Sequence, residues 1–192
     1  IWKEDIASRG EFAQRERVSP EARRFTQYTG TTALEGQLYS IRKGVANGNH
    51  LVRIGKDGSV STLRPFASMT SALTASASDG RIYWSEVVPD RRWSLKGSSR
   101  ICFYETNTGA TRTLTRKGRL YNPAPNGDGS LLSVTGYPQN GGSEILVLDS
   151  FFGNETMRYK APDHIQVVES AWLGDRIVAS GLSEDGFGIY DV

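Results

Sequence analysis

Two short phrases return in step four times along this chain, and a repeat of that kind leaves few folds open. The first is a turn carrying glycine followed by an apolar strand: Glu35-Gly36-Gln37-Leu38-Tyr39, Asp79-Gly80-Arg81-Ile82-Tyr83, Asp128-Gly129-Ser130-Leu131-Leu132 and Gly174-Asp175-Arg176-Ile177-Val178. With Leu38, Ile82, Leu131 and Ile177 taken as equivalent, the spacings are 44, 49 and 46 residues. The second phrase is a strand closing on a small or acidic residue: Leu51-Val52-Arg53-Ile54-Gly55, Ile101-Cys102-Phe103-Tyr104-Glu105, Ile145-Leu146-Val147-Leu148-Asp149 and Gly188-Ile189-Tyr190-Asp191. A period of about 40–50 residues holding several short strands is the pattern of a propeller blade. The sequence therefore predicts an all-β protein, a β-propeller of four-stranded antiparallel blades.

About four blades are expected, over residues 26–66, 67–118, 119–163 and 164–192, the last incomplete because its third strand ends at Val192. In the first, Thr26–Leu34, Gln37–Arg42, His50–Ile54 and Ser59–Leu63 read as the four strands from inner to outer. In the second, Ser71–Ser78, Arg81–Glu86, Arg100–Glu105 and Ala110–Thr115 do. Residues 1–25 crowd charged side chains and carry few β-branched ones, so a lead-in or linker is expected, with Ser19-Pro20-Glu21 offering a helix cap. A propeller ring closes by pairing its first blade with its last, which makes this sequence an expected part of a larger propeller. Closure through the N-terminal segment or a second chain is the alternative.

The bulk numbers exclude little but point one way. Thirty-eight per cent apolar residues in 192 suit a folded domain, and a net charge of +2 gives no electrostatic reason to expect nucleic acid or an anionic membrane. The basic clusters Arg23-Arg24, Arg91-Arg92 and Arg116-Lys117 read as solvated loops or edges. Cys102, the single cysteine, lies in an apolar strand and reads as a buried inert thiol. No stretch approaches the roughly 20 apolar residues of a spanning helix, so no membrane insertion is expected.

The segment Tyr121-Asn122-Pro123-Ala124-Pro125-Asn126-Gly127-Asp128-Gly129-Ser130-Leu131-Leu132-Ser133-Val134 resembles the x-x-P-x-x-S-P-D-G-x-x-L-x-x phrase of TolB-like and WD-repeat-like propellers, related to the propeller domains of tricorn protease and dipeptidyl peptidase IV-type enzymes. Residues 101–115 are similar to the family's I-x-x-Y-D-x-x-T-G-x-x-R-x-L-T segment. The pattern departs where Asn126-Gly127 replaces Ser-Pro and where the first blade lacks a clear inner-strand phrase. The resemblance, over about residues 35–192, implies a periplasmic or cell-surface location in bacteria and, in the peptidase relatives, catalysis by a separate domain. Its residues are structural, so it speaks for architecture and not for activity.

No Gly-x-Ser-x-Gly elbow, His-Glu-x-x-His pair or phosphate-binding glycine loop occurs, and His50 and His164 read as surface histidines. Neither a catalytic residue nor a cofactor is expected. The aspartates stand in Asp-Gly turn contexts rather than alternating ligand runs, so no metal site is expected, and Ser183-Glu184-Asp185-Gly186 reads as a hairpin turn. The long loop Val87–Ser99, with Arg91, Arg92 and Trp93, has the composition of an interaction hot spot; its alternative is a tryptophan folded back over the blade edge. The equivalent loops are expected to present Tyr137, Arg42 and Asn49 to the same face, whereas Trp84 and Trp172 read as core.

The expectation is a non-catalytic scaffold for a protein or peptide partner in an exported bacterial protein. The propeller of a prolyl oligopeptidase-type serine peptidase, with catalysis elsewhere, is the first alternative. A carbohydrate-binding propeller stacking sugars on Trp93 and Tyr137 is the second.

Overall fold

A computed structural model of the protein describes residues 2–6, 12–19, 24–45, 48–66, 71–92, 97–115 and 118–192. Every regular element among them is a strand. The chain falls into two compact units, Ile1–Ala67 and Ser68–Val192.

The first unit holds β1 (Trp2–Ile6), β2 (Phe12–Arg17), β3 (Thr26–Leu34), β4 (Gln37–Gly44), β5 (Gly48–Ile54) and β6 (Val60–Pro65). Strands β3 to β6 form one antiparallel blade in sequence order, in close agreement with the strands read from the sequence. The hairpin of β1 and β2 differs from the irregular lead-in expected there. Its register sets Lys3 opposite Glu16 and Glu4 opposite Arg15, and the sequence of the two strands lacks the apolar alternation by which strands are usually read. Of the proposed cap, Pro20-Glu21 lies outside the described residues.

The second unit holds three sheets. One is β7 (Thr74–Ser76), β8 (Arg81–Val88), β9 (Ser98–Glu105) and β10 (Thr111–Thr113); the next is β11 (Leu120–Pro125), β12 (Leu131–Gly136), β13 (Glu144–Asp149) and β14 (Glu155–Lys160). The last has three strands, β15 (Gln166–Leu173), β16 (Arg176–Ser183) and β17 (Gly186–Asp191). Four antiparallel sheets thus follow one another as propeller blades. Strand β10 is shorter than its sequence suggests because the ladder is cut at Thr115, whose hydroxyl accepts the Ile101 amide at 3.0 Å. The Asp-Gly turns behave as their chemistry dictates, with Asp57, Asp79 and Asp128 each accepting the amide two residues on at 2.8–3.1 Å. Ser183 and Gly186 pair across the two-residue hairpin expected there.

Strand β13 shows how a blade is held. Its side chains alternate between faces, and both faces are covered. Leu146 and Leu148 join Tyr83, Ile101, Phe103, Leu132 and Val134 in a core shared with the preceding blade. Ile145 and Val147 join Val167, Ile177 and Ala179 in a core shared with the following one. This double burial explains why the strand reads Ile-Leu-Val-Leu with no polar break. On the opposite face of β8 and β9, Trp84 is fully buried, and its Nε1 donates to Glu86 at 2.9 Å. Arg100, in register with Glu86, donates to the same carboxylate, so the buried charge is paired.

Inner strands join the blades through their bulges. The register slips between Tyr121 and Ala124 in β11 and between Val167 and Glu169 in β15. Pro123, which has no amide to give, sits in the first slip, consistent with the confinement of strand proline to such places. The carbonyls freed there are taken by side chains of the preceding blade: Thr74 Oγ1 donates to Pro123 O at 2.6 Å and Asn122 Nδ2 to Val168 O at 2.8 Å. Trp172 adds a bond from Nε1 to Ala124 O at 3.0 Å and packs on the adjoining core, as expected of a core residue.

A polar latch joins the second and third blades near the Asp79-Gly80 turn. Buried Arg81 donates to Ser150 O at 3.1 Å and lies 4.6 Å from the Phe103 ring centroid and 5.0 Å from that of Phe151. Beside it Tyr83 donates its hydroxyl to Asp79 at 2.8 Å, and burial pushes the Tyr83 phenol well above its ordinary range. The folded state therefore holds a proton that the unfolded chain releases near pH 10, so this contribution is complete below about pH 10 and declines above it. Alkaline denaturation followed by fluorescence is expected to show stability falling from about pH 10 upward, with a shallower fall in Tyr83→Phe. An identical slope in the variant places the pH dependence elsewhere.

Candidate functional site

In the second unit the β8–β9 and β12–β13 loops meet the connection into β11, and there the structure places a cavity of about 820 Å³. Its walls come from three segments distant in sequence: residues 88–92 with Gly97 and Ser98 from the β8–β9 loop, Gly118 and Arg119 from the connection into β11, and residues 137–139 after β12. The size lies in the range of ligand sites, about 300–1,000 Å³.

Each wall has a local cause. Pro89 ends the β8 ladder, and Asp90 Oδ1 accepts the Arg92 amide at 2.7 Å, turning the chain so that Arg91 and Arg92 stand exposed at the rim. Ser99 bonds the connection, its hydroxyl donating to Leu120 O at 2.6 Å and its amide to Gly118 O at 2.7 Å, which fixes Arg119 between them. The Tyr137 amide donates to Arg119 O at 3.0 Å and brings the third wall to the second.

Tyr137 is half-buried, with its ring 5.7 Å from that of Tyr121 and its hydroxyl donating to Val167 O at 2.9 Å. Burial raises its phenol above the usual value. With the hydroxyl engaged, the ring alone is offered to the cavity. Tyr137→Phe is expected to lower stability by about 1 kcal/mol, read from the denaturant midpoint, because one hydrogen bond is lost and a carbonyl is left without its donor. An unchanged midpoint places that hydroxyl in solvent.

The structure thus brings Arg91, Arg92 and Tyr137 together. Trp93 lies outside the described residues. Arg42 and Asn49 belong to the first unit, where a loop from one to the other is corrected: β4 runs to Gly44 and β5 restarts at Gly48, so both stand inside a ladder. Gly48, at a φ of +63°, lets the hairpin close that early. Arg42 donates to Thr62 Oγ1 at 3.0 Å, while the Asn49 carbonyl accepts the Phe66 amide at 2.8 Å. His50, expected at the surface, is half-buried in β5 opposite Arg42, whereas His164 is exposed.

Arg119 is the lining residue that sequence reasoning passed over. A single arginine between Gly118 and Leu120 carries no motif, and its relevance comes only from the approach of two loops to it. A smaller hollow of about 370 Å³ adjoins the cavity, sharing Arg119 and Tyr137 and reaching Ser71, Ser85 and Asn122.

No family model matches the sequence, and no curated protein does. Solved structures do match in fold. The acylaminoacyl peptidase of Pyrococcus horikoshii superposes with a TM-score of 0.61 at 16% identity, over 88% of this chain and 31% of that one. The β-propeller domain of the Trilobed protease from Pyrococcus furiosus gives 0.60 at 13% identity, over 88% and 57%. TolB from Acinetobacter baumannii gives 0.57 at 16% identity, over 96% and 46%. The expected likeness to TolB-like and peptidase propellers is therefore met in the fold, and the chain spans between 31% and 57% of those proteins' lengths.

Proposed function

We propose that this chain is a non-catalytic propeller scaffold that binds a protein or peptide segment, and that it belongs to an exported bacterial protein. The observation that carries the reading is the cavity walled by three loops. It combines a fixed aromatic ring, apolar Val88, Pro89 and Pro138, and exposed guanidinium groups, the mix of apolar wall and few polar anchors that suits a peptide. The likeness to TolB supports the exported location.

Selection of a displayed random-peptide library on the protein tests this. Enriched peptides are expected to bind the wild type and to lose binding to Gln139→Trp, which fills the cavity from its rim. Equal binding to both overturns the reading.

A second reading has its own support, since two of the similar structures come from an acylaminoacyl peptidase and the Trilobed protease. On it, the scaffold presents substrate to a catalytic domain outside these residues. A parent reading frame continuing into a Gly-x-Ser-x-Gly domain decides for it; a frame of blades alone decides against it.

A further inference from the structure

The described arginines of the second unit divide into two groups. Arg81, Arg100, Arg112, Arg158 and Arg176 each have a carboxylate within 3.7 Å: Asp79 and Glu105, Glu86, Glu105, Glu144 and Glu155, and Asp191 respectively. Arg91, Arg92 and Arg119 have no ion pair among the described residues. These three, from two separate segments, all line the one cavity.

Three like charges around a single hollow repel one another, and leaving these together while the other described arginines of the unit are paired adds nothing to stability. The one acid in the lining, Asp90, has an oxygen committed to the Arg92 amide. Three guanidinium charges against the one carboxylate of Asp90 leave the concave wall net positive, and its field, focused into the hollow, attracts an anion. Guanidinium groups are planar forks that match carboxylate geometry. The remaining wall narrows the choice of anion: the Tyr137 ring and Pro138 offer apolar surface that suits a peptide chain and has no counterpart on a bare inorganic ion.

We propose that this cavity is a carboxylate-recognition site, in which Arg91, Arg92 and Arg119 grip the carboxylate of a bound peptide while Tyr137 and Pro138 support its adjoining residue. The proposal rests on the peptide-scaffold reading and names the chemistry it selects. The carboxylate is supplied either by a peptide C-terminus or by a Glu or Asp side chain.

Fluorescence anisotropy with labelled synthetic peptides tests it. The probes are a neutral Gly/Ser octapeptide with a free C-terminus, the same peptide amidated, and the amidated peptide carrying two central glutamates. Binding of the first or third well above the amidated neutral peptide is expected, and whichever is tighter identifies the source of the carboxylate. The triple variant Arg91→Gln, Arg92→Gln, Arg119→Gln, exposed at every position, is expected to keep the wild-type melting temperature and to lose about tenfold or more in affinity. Affinity indifferent to the carboxylate or to the triple substitution overturns the proposal. So does tighter binding of an oligothymidylate, which assigns the cavity to phosphate. Library-selected peptides separate this failure from that of the parent reading: if Gln139→Trp abolishes their binding and the triple variant does not, the scaffold stands and the carboxylate site falls.

Discussion

Trp84→Ala is expected to lower the unfolding free energy by about 3–5 kcal/mol, the range for deleting a buried aromatic side chain. The indole is fully buried among the described residues, so its removal leaves a void that the surrounding strands fill only partly. The loss is compounded because Trp84 Nε1 is a donor to Glu86, itself 1% exposed, and a buried carboxylate deprived of a donor keeps its desolvation penalty. Trp84→Phe keeps most of the packing and removes only the donor, so about 1–2 kcal/mol is expected there. Urea midpoints at constant slope measure both. A loss below about 1 kcal/mol in the alanine variant overturns the view of Trp84 as a core anchor.

Gly129→Val is expected to cost about 3 kcal/mol or more, from two separable sources. The backbone sits at a φ of +76°, a region costly for any side chain with a Cβ and worst for a branched one. A Cβ there also runs into the preceding blade, within 2.7 Å of Ser76 Oγ and still closer to Ser78 Oγ, two hydroxyls that bond each other at 3.1 Å. Gly174 separates the two. Its φ is +62° with nothing within 4 Å of the added carbon, so Gly174→Ala is expected to show backbone strain alone, about 1 kcal/mol. Gly129→Ala should exceed it clearly in thermal or urea unfolding. Equal losses put the Gly129 turn at a distance from its neighbour.

The blades were legible because turn chemistry and strand alternation agree. Asp128-Gly129 demands a turn, and the run from Leu131 to Val134 demands a covered strand; both follow from local stereochemistry and recur in each copy. The N-terminal hairpin was not, since its strands carry charge where burial would have left an apolar period. The bulge carbonyls of Pro123 and Val168 were equally hidden: Thr74 and Asn122, which satisfy them, are 49 and 46 residues away. The candidate site was half legible. A long loop with Arg91 and Arg92 stands out by composition, but Arg119 becomes a neighbour only because the Ser99 and Tyr137 bonds hold the connection against both loops.

The two-sided burial of β13 has a consequence for anyone who would rearrange this molecule. Since Leu146 and Leu148 answer to one neighbour while Ile145 and Val147 answer to the other, a blade here is half of two different joints. A single blade is therefore no transferable module, because lifting it out opens a joint on each side. A cut through the sheet between β12 and β13 does no better, since it parts Leu132 and Val134 from Leu146 and Leu148 within one core, so a shuffled library keeps a joint only where both of its blades travel together.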